Sequence, residues 1–389
     1  MNDFLPVVSL FSGAGGLDLA VERADASPLE SGDRGTGLAR VVVATDYNEP
    51  ALRTLARNFP HTQSIHGDIR LLDSEDLLAR GGLRRSDPVL LVGGPPCTPF
   101  SKSGFWIEEK RESRDPNASL LDEYVRIVRE TRPEAFILEN VQGLTYKTHK
   151  AQFDRLLASL TELGYNPQWR VLLAADYGVP QLRRRVFVVG RRDGREFVFP
   201  EATHSGWSEH TRVFDTTKIP HVTASQAFAT LPRFAEPDEF VGGHYGLLAA
   251  EVPPGQNYLW HTSRYGGRDE FDWRSRYWTF LLRLDPNRPS STIQAQPGPY
   301  VGPFHWENGL DEQGVPRARR LRVPEILRLM SFPDDFAVPQ KRADVQRQLG
   351  NAVPLELGKA VARALLEQLG YLRADRNAHA INIPLSLSA

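Results

Sequence analysis

Residues 6–16 read PVVSLFSGAGG, an apolar run followed by a glycine-rich turn. A helical pattern begins at Gly16, so this stretch predicts a buried strand that leads through the turn into a helix. Glycines let a ligand approach the backbone closely, and the first N–H groups of a helix face that ligand. Taken alone, the turn fits NAD, another nucleotide or S-adenosylmethionine (SAM) equally well.

The first half of the chain alternates short apolar runs with helical patterns. Runs without polar alternation are typical of strands buried on both faces, and their alternation with helices predicts an α/β fold with a mostly parallel sheet. The turn around Gly178 makes the last two strands a hairpin at the sheet edge. The predicted strands cover residues 6–10, 40–45, 88–92, 135–138, 171–174 and 186–189, and the predicted helices cover residues 16–24, 50–58, 120–130, 152–163, 323–330 and 355–369.

The composition sets limits on the class of protein. With 389 residues, 41% of them hydrophobic, the chain has the composition of a soluble protein with one large and one small domain. Its apolar runs are shorter than the roughly 20 residues of a membrane span, and the N-terminus lacks the basic region of a signal peptide. A net charge of −1 lacks the basic surplus usual in nucleic-acid-binding proteins. The single cysteine, Cys97, excludes an internal disulfide and suits a reducing cytoplasm.

Polar residues follow successive predicted strands, where an α/β sheet places its ligands. Asp46 ends the second strand and suits the hydroxyl groups of a ribose, while the adjacent Tyr47 suits stacking on an adenine. Asp68 follows the third candidate strand, where its carboxylate suits an adenine amino group. Each acid alone is more often a turn residue or a helix cap, but three features in chain order favour a nucleotide-type cofactor.

The sharpest motif is Gly93-Gly94-Pro95-Pro96-Cys97, at the end of the strand 88–92. The two prolines fix the backbone and hold the following thiol rigidly. A lone cysteine is usually a small buried hydrophobic residue. A rigid thiol at the end of a strand instead favours a nucleophile, whose thiolate fraction a nearby cation would raise.

Two further motifs carry candidate catalytic groups. Glu139-Asn140-Val141 directly follows the strand 135–138, where an apolar environment would raise the pKa of Glu139 and make it a proton donor. The alternative is that Asn140 caps a helix while Glu139 faces solvent. In residues 181–185, QLRRR, strand alternation places Gln181, Arg183 and Arg185 on one face. Because a buried strand follows, at least one arginine is expected to point into a site.

Together these motifs resemble the DNA (cytosine-5) methyltransferase family across nearly the whole chain. The glycine turn, Asp46-Tyr47 and Gly67-Asp68-Ile69 are similar to the first three motifs of that family, and residues 320–333 and 348–353 are similar to its ninth and tenth. The chain departs from the family at Thr98 and within residues 321–331. These departures lie outside the expected catalytic set.

The resemblance implies a reaction and a set of catalytic residues. Cys97 is expected to add to C6 of cytosine, Glu139 to protonate N3, Arg185 to bind O2, and Arg183 to support Arg185. SAM supplies the methyl group for C5, no metal takes part, and the target base is flipped out of the duplex. The further residues that the resemblance assigns to SAM are Phe11, Gly13, Gly15, Asp46, Tyr47, Asp68, Ile69, Gly94, Pro96, Leu120, Asn351 and Val353.

The resemblance also implies a SAM-binding Rossmann-like domain with a mixed sheet and helices on both faces. We expect this catalytic domain at residues 1–190 and 284–389, with a loop-rich target recognition domain at 191–283. The stretch from Ser101 to Ala118 looks like a loop that closes over the base. The expected DNA contacts are Ser101, Arg114, Gln181, Arg264, Tyr265, Arg268, Arg274 and Arg276.

The implied partner is double-stranded DNA, in a cytoplasmic monomer without a membrane anchor. A restriction endonuclease is expected as its genetic partner. Three alternatives remain open at this stage: an RNA cytosine-5 methyltransferase on the same scaffold, an inactive DNA-binding regulator, and an NAD-dependent oxidoreductase with a catalytic cysteine. The solvated acids near Arg268 make an ordinary surface as plausible as a DNA contact there.

Overall fold

The computed structural model describes residues 4–26, 37–96, 120–206, 215–232, 239–339 and 341–372. Its centre is a seven-stranded sheet in the order β3-β2-β1-β4-β5-β8-β6. The first five strands in this order run parallel, and β8 runs antiparallel to both of its neighbours. The strands of the sheet are β1 (Leu5–Leu10), β2 (Ala39–Asp46), β3 (Gln63–His66), β4 (Leu90–Gly93), β5 (Ala135–Val141), β6 (Gln168–Leu173) and β8 (Arg184–Arg191).

Helices cover both faces of the sheet, which explains why its central strands are apolar throughout. All residues of β1 and β4 are buried, because each face packs on a separate hydrophobic cluster. Helices α1, α8 and α10 pack on one face, and α3, α4 and α5 on the other. The predicted α/β architecture and the predicted edge hairpin, formed by β6 and β8, are confirmed.

Among the described residues, the helices agree with the predicted ones where apolar residues recur at a clear helical spacing. Helices α3, α6, α7 and α9 were not predicted, since they are short or only weakly amphipathic. The helices are α1 (Gly16–Glu22), α2 (Glu49–Asn58), α3 (Ser74–Arg80), α4 (Leu120–Thr131), α5 (Lys150–Glu162), α6 (Ala224–Phe228), α7 (Gly243–Glu251), α8 (Val323–Leu329), α9 (Arg342–Asn351) and α10 (Leu355–Leu369).

A second unit has its own apolar cluster, which extends from Val241 to Ala318. Phe197 and Phe228 instead belong to the cluster under the main sheet. Most buried apolar residues between 241 and 318 pack in this cluster, although Leu284 and Ile293 belong to the cluster under the main sheet. The predicted recognition domain, residues 191–283, divides the cluster of the second unit, and its boundaries stay a prediction. The remaining short strands are β7 (Gln181–Leu182), β9 (His204–Ser205), β10 (Ile219–Pro220), β11 (Ser290–Ser291), β12 (Asn308–Leu310) and β13 (Pro316–Ala318).

The C-terminal helix returns to the start of the fold. A Cβ atom on Gly358 of α10 would lie 2.7 Å from the Cβ of Ala20 on α1, so the two helices are in close contact. This contact brings the α9–α10 connection beside the glycine turn that follows β1. Among the described residues, no helix is long and apolar enough to cross a membrane.

Candidate active site

A cavity of about 600 Å³ opens at the carboxyl ends of the parallel strands. This volume lies in the range of small-molecule and cofactor sites. Eleven of the twelve residues predicted to bind the cofactor line it, and Glu139 and Arg185 line it as well. The structure thus brings together most of the predicted site, from motifs more than 300 residues apart in the chain. Those eleven are Phe11, Gly13, Asp46, Tyr47, Asp68, Ile69, Gly94, Pro96, Leu120, Asn351 and Val353.

The glycine turn is held by the acid that ends β2. The backbone N–H of Gly13 donates to Asp46 Oδ2 over 2.8 Å, and that of Asn48 donates to Oδ1 over 2.7 Å. Burial raises the pKa of Asp46, although these N–H groups oppose the shift. Gly13 has φ +57°, a conformation that favours glycine. Asp46 therefore shapes the turn, and its carboxylate oxygens retain lone pairs that can accept from the hydroxyl groups of a ribose.

Gly15 is the predicted cofactor residue that does not line the cavity. Its φ is +91°, and a Cβ atom there would lie 2.5 Å from Cε2 of Phe59. The glycine is therefore required for the turn and for packing, and the expected cofactor contact of Gly15 stays a prediction.

The end of the cavity predicted to hold adenine is open. Tyr47 is 76% exposed. Arg70 Nε lies 2.9 and 3.0 Å from the two carboxylate oxygens of Asp68, and its guanidinium holds the pKa of Asp68 below its usual value. Asp68 thus already has a cationic partner at the position where an adenine amino group was expected.

The catalytic carboxyl lies on the wall of the cavity, at the end of β5. Glu139 is 7% exposed, and burial raises its pKa against the opposing charges of Arg185 and Arg183. Arg185 Nε lies 2.8 Å from Glu139 Oε1, so the two side chains form an ion pair. The alternative in which Glu139 faces solvent is wrong. A buried acid beside a cation can exchange a proton with a bound base.

The backbone that leads to Cys97 is tied to the same strand. Asn140 Nδ2 donates to the carbonyl of Pro95 over 3.2 Å, so Asn140 tethers this segment and does not cap a helix. A Cβ atom at Gly94 would lie 3.2 Å from Glu139 Oε2, and the glycine leaves that carboxyl accessible. The predicted nucleophile Cys97 and the predicted DNA contacts Ser101 and Arg114 lie outside the described residues.

Gln181 and Arg183 are buried as the strand alternation predicted, and both donate hydrogen bonds to backbone carbonyls. Both are 0% exposed. Gln181 donates to the carbonyl of Leu329 over 3.0 Å and accepts from the N–H of Ile293. Its polar atoms face the protein interior in this structure, and the expected DNA contact of Gln181 stays a prediction.

Arg183 connects its strand to two backbone segments that are distant in the sequence. Its guanidinium donates to the carbonyl of Ile293 over 3.1 Å and to that of Gly350 over 2.6 Å. It does not line the cavity, and its charge lowers the pKa of Glu139. Its predicted role in support of Arg185 stays a prediction.

Sequence reasoning missed several residues that line the cavity. Asp18, on α1, is fully buried there, and burial raises its pKa to about 7. Arg347 and Gln348 reach the cavity from α9. The only signal for Asp18 was an acid among the apolar residues of the helix that follows the glycine turn.

In the second unit, two arginine side chains lie beside the ring of one tryptophan. The guanidinium carbon of Arg264 lies 4.2 Å from the ring centre of Trp273, on which Tyr265 also stacks. Arg274 lies at 6.0 Å from the same ring, and its backbone has φ +61°. Among the other predicted DNA contacts, Arg268 pairs with Glu251, and Arg276 lies over the core rings of Phe271 and Phe280.

This arrangement defines an α/β enzyme whose cofactor cavity and catalytic carboxyl meet at the strand ends. The chain belongs to the family of C-5 cytosine-specific DNA methylases, whose pattern matches residues 5–367. The predicted family and the predicted DNA (cytosine-5) methyltransferase activity are thereby confirmed.

Individual relatives agree with this assignment. The chain is 67% identical to the Type II methyltransferase M.SacI of Streptomyces achromogenes, over 96% of this chain and 95% of that one. It is 32% identical to the Type II methyltransferase M1.HphI of Haemophilus parahaemolyticus, over 93% and 87%. An E. coli prophage product described as a DNA modification methyltransferase shares the fold, with a TM-score of 0.65 and 23% identity over 94% of this chain and 99% of that one.

Proposed function

We propose that this enzyme methylates cytosine within one double-stranded DNA sequence, with Cys97 as nucleophile and SAM in the cavity. The observation that carries the assignment of the site is the buried Glu139 beside Arg185. Both line the cavity, and β5 is the neighbour of β4, the strand that leads into Pro95-Pro96-Cys97. An acid and a thiol on neighbouring strand ends can act on one base.

The cavity fits SAM in size and in the chemistry of its lining. Asp46 and Asp68 offer carboxylates to the ribose and the adenine, and Phe11 and Ile69 offer apolar contacts. Asn351 and Val353 close the cavity from the α9–α10 side. SAM supplies an electrophilic methyl group on its sulfonium.

Residues of the chain activate the cytosine ring by adding a nucleophile and a proton to it. The thiolate of Cys97 forms a bond to C6, and the displaced electron pair is neutralised at N3 by the proton of Glu139. Arg185 binds O2 and holds the charge of Glu139 in place. Once C5 carries the methyl group that SAM would supply, water takes the C5 proton, N3 returns its proton to Glu139, and the C6–S bond breaks to return the thiolate. This chemistry needs a thiolate and a protonated carboxyl in one site, and burial of Glu139 favours the protonated form of that carboxyl.

We propose further that the enzyme is the modification half of a Type II restriction-modification system. The support is the 67% identity to a Type II methyltransferase over 96% of the chain, which includes the second unit. On this basis we expect a companion endonuclease, a monomeric enzyme, and action in the bacterial cytoplasm, where its DNA lies.

The test is Cys97→Ser. Because the thiol attacks the base and does not hold the cofactor, we expect methyl transfer to be lost while the affinity for S-adenosylhomocysteine (SAH) stays within about threefold of wild type. The wild type should form a covalent complex with DNA containing 5-fluorocytosine, and the variant should not. Bisulfite sequencing of DNA from expressing cells identifies the target. Transfer by the serine variant at the wild-type rate, or label entering tRNA but not DNA, would contradict the proposal.

A further inference from the structure

Four carboxyl groups line the cavity among the described residues, and three of them face N–H groups of other residues. One accepts two backbone N–H groups, and two face an arginine. The fourth, on α1, is the exception. In chain order the four are Asp18, Asp46, Asp68 and Glu139.

Asp18 is 0% exposed, and among the described residues no cationic side chain pairs with its carboxylate. The Ser9 hydroxyl and its own backbone N–H offset only part of the burial, which raises the pKa of Asp18 to about 7. A buried carboxyl without a cationic partner destabilises the folded state. Such a group is therefore expected to have a partner that the chain itself does not supply.

The other acid of the same helix shows the contrast. Glu22 accepts from the backbone N–H of Val41 and pairs with His61, both over 2.8 Å, and it does not line the cavity. Its position is explained within the fold. Asp18 has no such ion pair among the described residues.

We propose that Asp18 binds the α-ammonium group of SAM, an inference that rests on the proposed function. SAM carries two positive groups, the sulfonium and the α-ammonium. The sulfonium has no N–H to donate, and its methyl group must face the base near Glu139. The α-ammonium has three donors, and a buried carboxylate is the acceptor that matches them.

The experiment is a double-mutant cycle between the protein and the ligand, measured by calorimetry on the full chain. SAH isolates the ammonium, because it lacks the sulfonium charge. Its analogue in which hydrogen replaces the α-amino group removes the ammonium itself. We expect the wild type to bind SAH about 10- to 100-fold more tightly than the des-amino analogue, as for a hydrogen bond between charged groups. In Asp18→Asn the two ligands should bind within about threefold of each other.

Glu22→Gln is the matched control, an acid-to-amide change on the same helix outside the cavity, and it should retain the wild-type preference for SAH. Equal weakening of both ligands by Asp18→Asn would show a structural role and overturn the inference. Unchanged SAH affinity in that variant would overturn it as well. If wild type binds no SAH, the proposed function also fails, so the two failures are distinguishable.

A measurement on the wild type alone covers the case in which Asp18→Asn does not fold. Since the pKa of Asp18 is about 7, binding of the ammonium at pH 7 should release protons, and the des-amino analogue should release none. The acids whose charges reach Asp18 are Glu22 and Asp46, while Glu356 and Lys359 of the adjacent α10 pair with each other. Equal proton release with both ligands, measured in buffers of different ionisation enthalpy, would overturn the inference.

Discussion

The catalytic end of the main sheet and the second unit differ in how much they expose the side chains expected to contact ligands. At the catalytic end, charged groups are buried and fixed: Arg183 is 0% exposed and Glu139 is 7% exposed. In the second unit, Tyr265, Tyr277 and Trp278 are between 46% and 65% exposed. The first region is organised before any ligand arrives, whereas the second presents contact groups to a partner. Changes in the first should therefore affect the rate, and changes in the second should affect DNA affinity.

Glu139→Gln tests the first half of this comparison and has the largest expected effect. The amide cannot donate the proton that N3 requires, so we expect kcat to fall by about 100- to 10,000-fold. Burial raises the pKa of Glu139, and its protonated form is the active one. Wild-type kcat should therefore fall as the pH rises through that pKa, and the variant should lack this alkaline limb.

The control for this variant is binding. Its affinity for target DNA and for SAH should stay within about threefold of wild type, as measured by fluorescence anisotropy and calorimetry. A variant that turns over at a near-normal rate would remove Glu139 from the chemistry. A loss of DNA affinity as large as the loss of kcat would contradict the assignment of catalysis to the main sheet and of DNA binding to the second unit.

A buried ion pair joins the two regions. Arg319, which directly follows β13, donates to both oxygens of Glu325 on α8 over 2.9 and 2.7 Å, and both side chains are at most 2% exposed. Removing one partner leaves a buried charge unpaired, so Glu325→Gln should lower the free energy of unfolding by about 3–5 kcal/mol. Denaturant titration measures this loss. Arg317→Ala, which breaks the more exposed pair with Asp311 (side chains 23% and 16% exposed), is the control and should cost about 1 kcal/mol or less. Equal losses in the two variants would contradict the structural importance of this junction.

The two regions also differ in how far the sequence predicts them. The strands of the main sheet follow from apolar runs, because each packs on both faces, and the cavity residues follow from the strand ends. Gln181 was assigned correctly to the inner face, yet its partners, Leu329 and Ile293, are more than 100 residues away and no local pattern identifies them. The second unit has few regular elements. The apolar residues of its cluster from Val241 to Ala318 therefore do not repeat at a helix or strand spacing that the sequence would reveal.

Arg264 and Arg268 sharpen the comparison within the second unit, because the structure separates two arginines that the sequence treats alike. Arg264 lies over Trp273, while Arg268 pairs with Glu251. We expect Arg264→Ala to weaken DNA binding about tenfold and to reduce the slope of log Kd against log salt by about one, since one phosphate contact is lost. Arg268→Ala should change Kd by less than about threefold, because its charge is already neutralised. Neither variant should change kcat at saturating DNA, since neither side chain lines the cavity. Equal effects of the two variants on Kd would show that exposure alone, and not the aromatic partner, selects the DNA contacts of this unit.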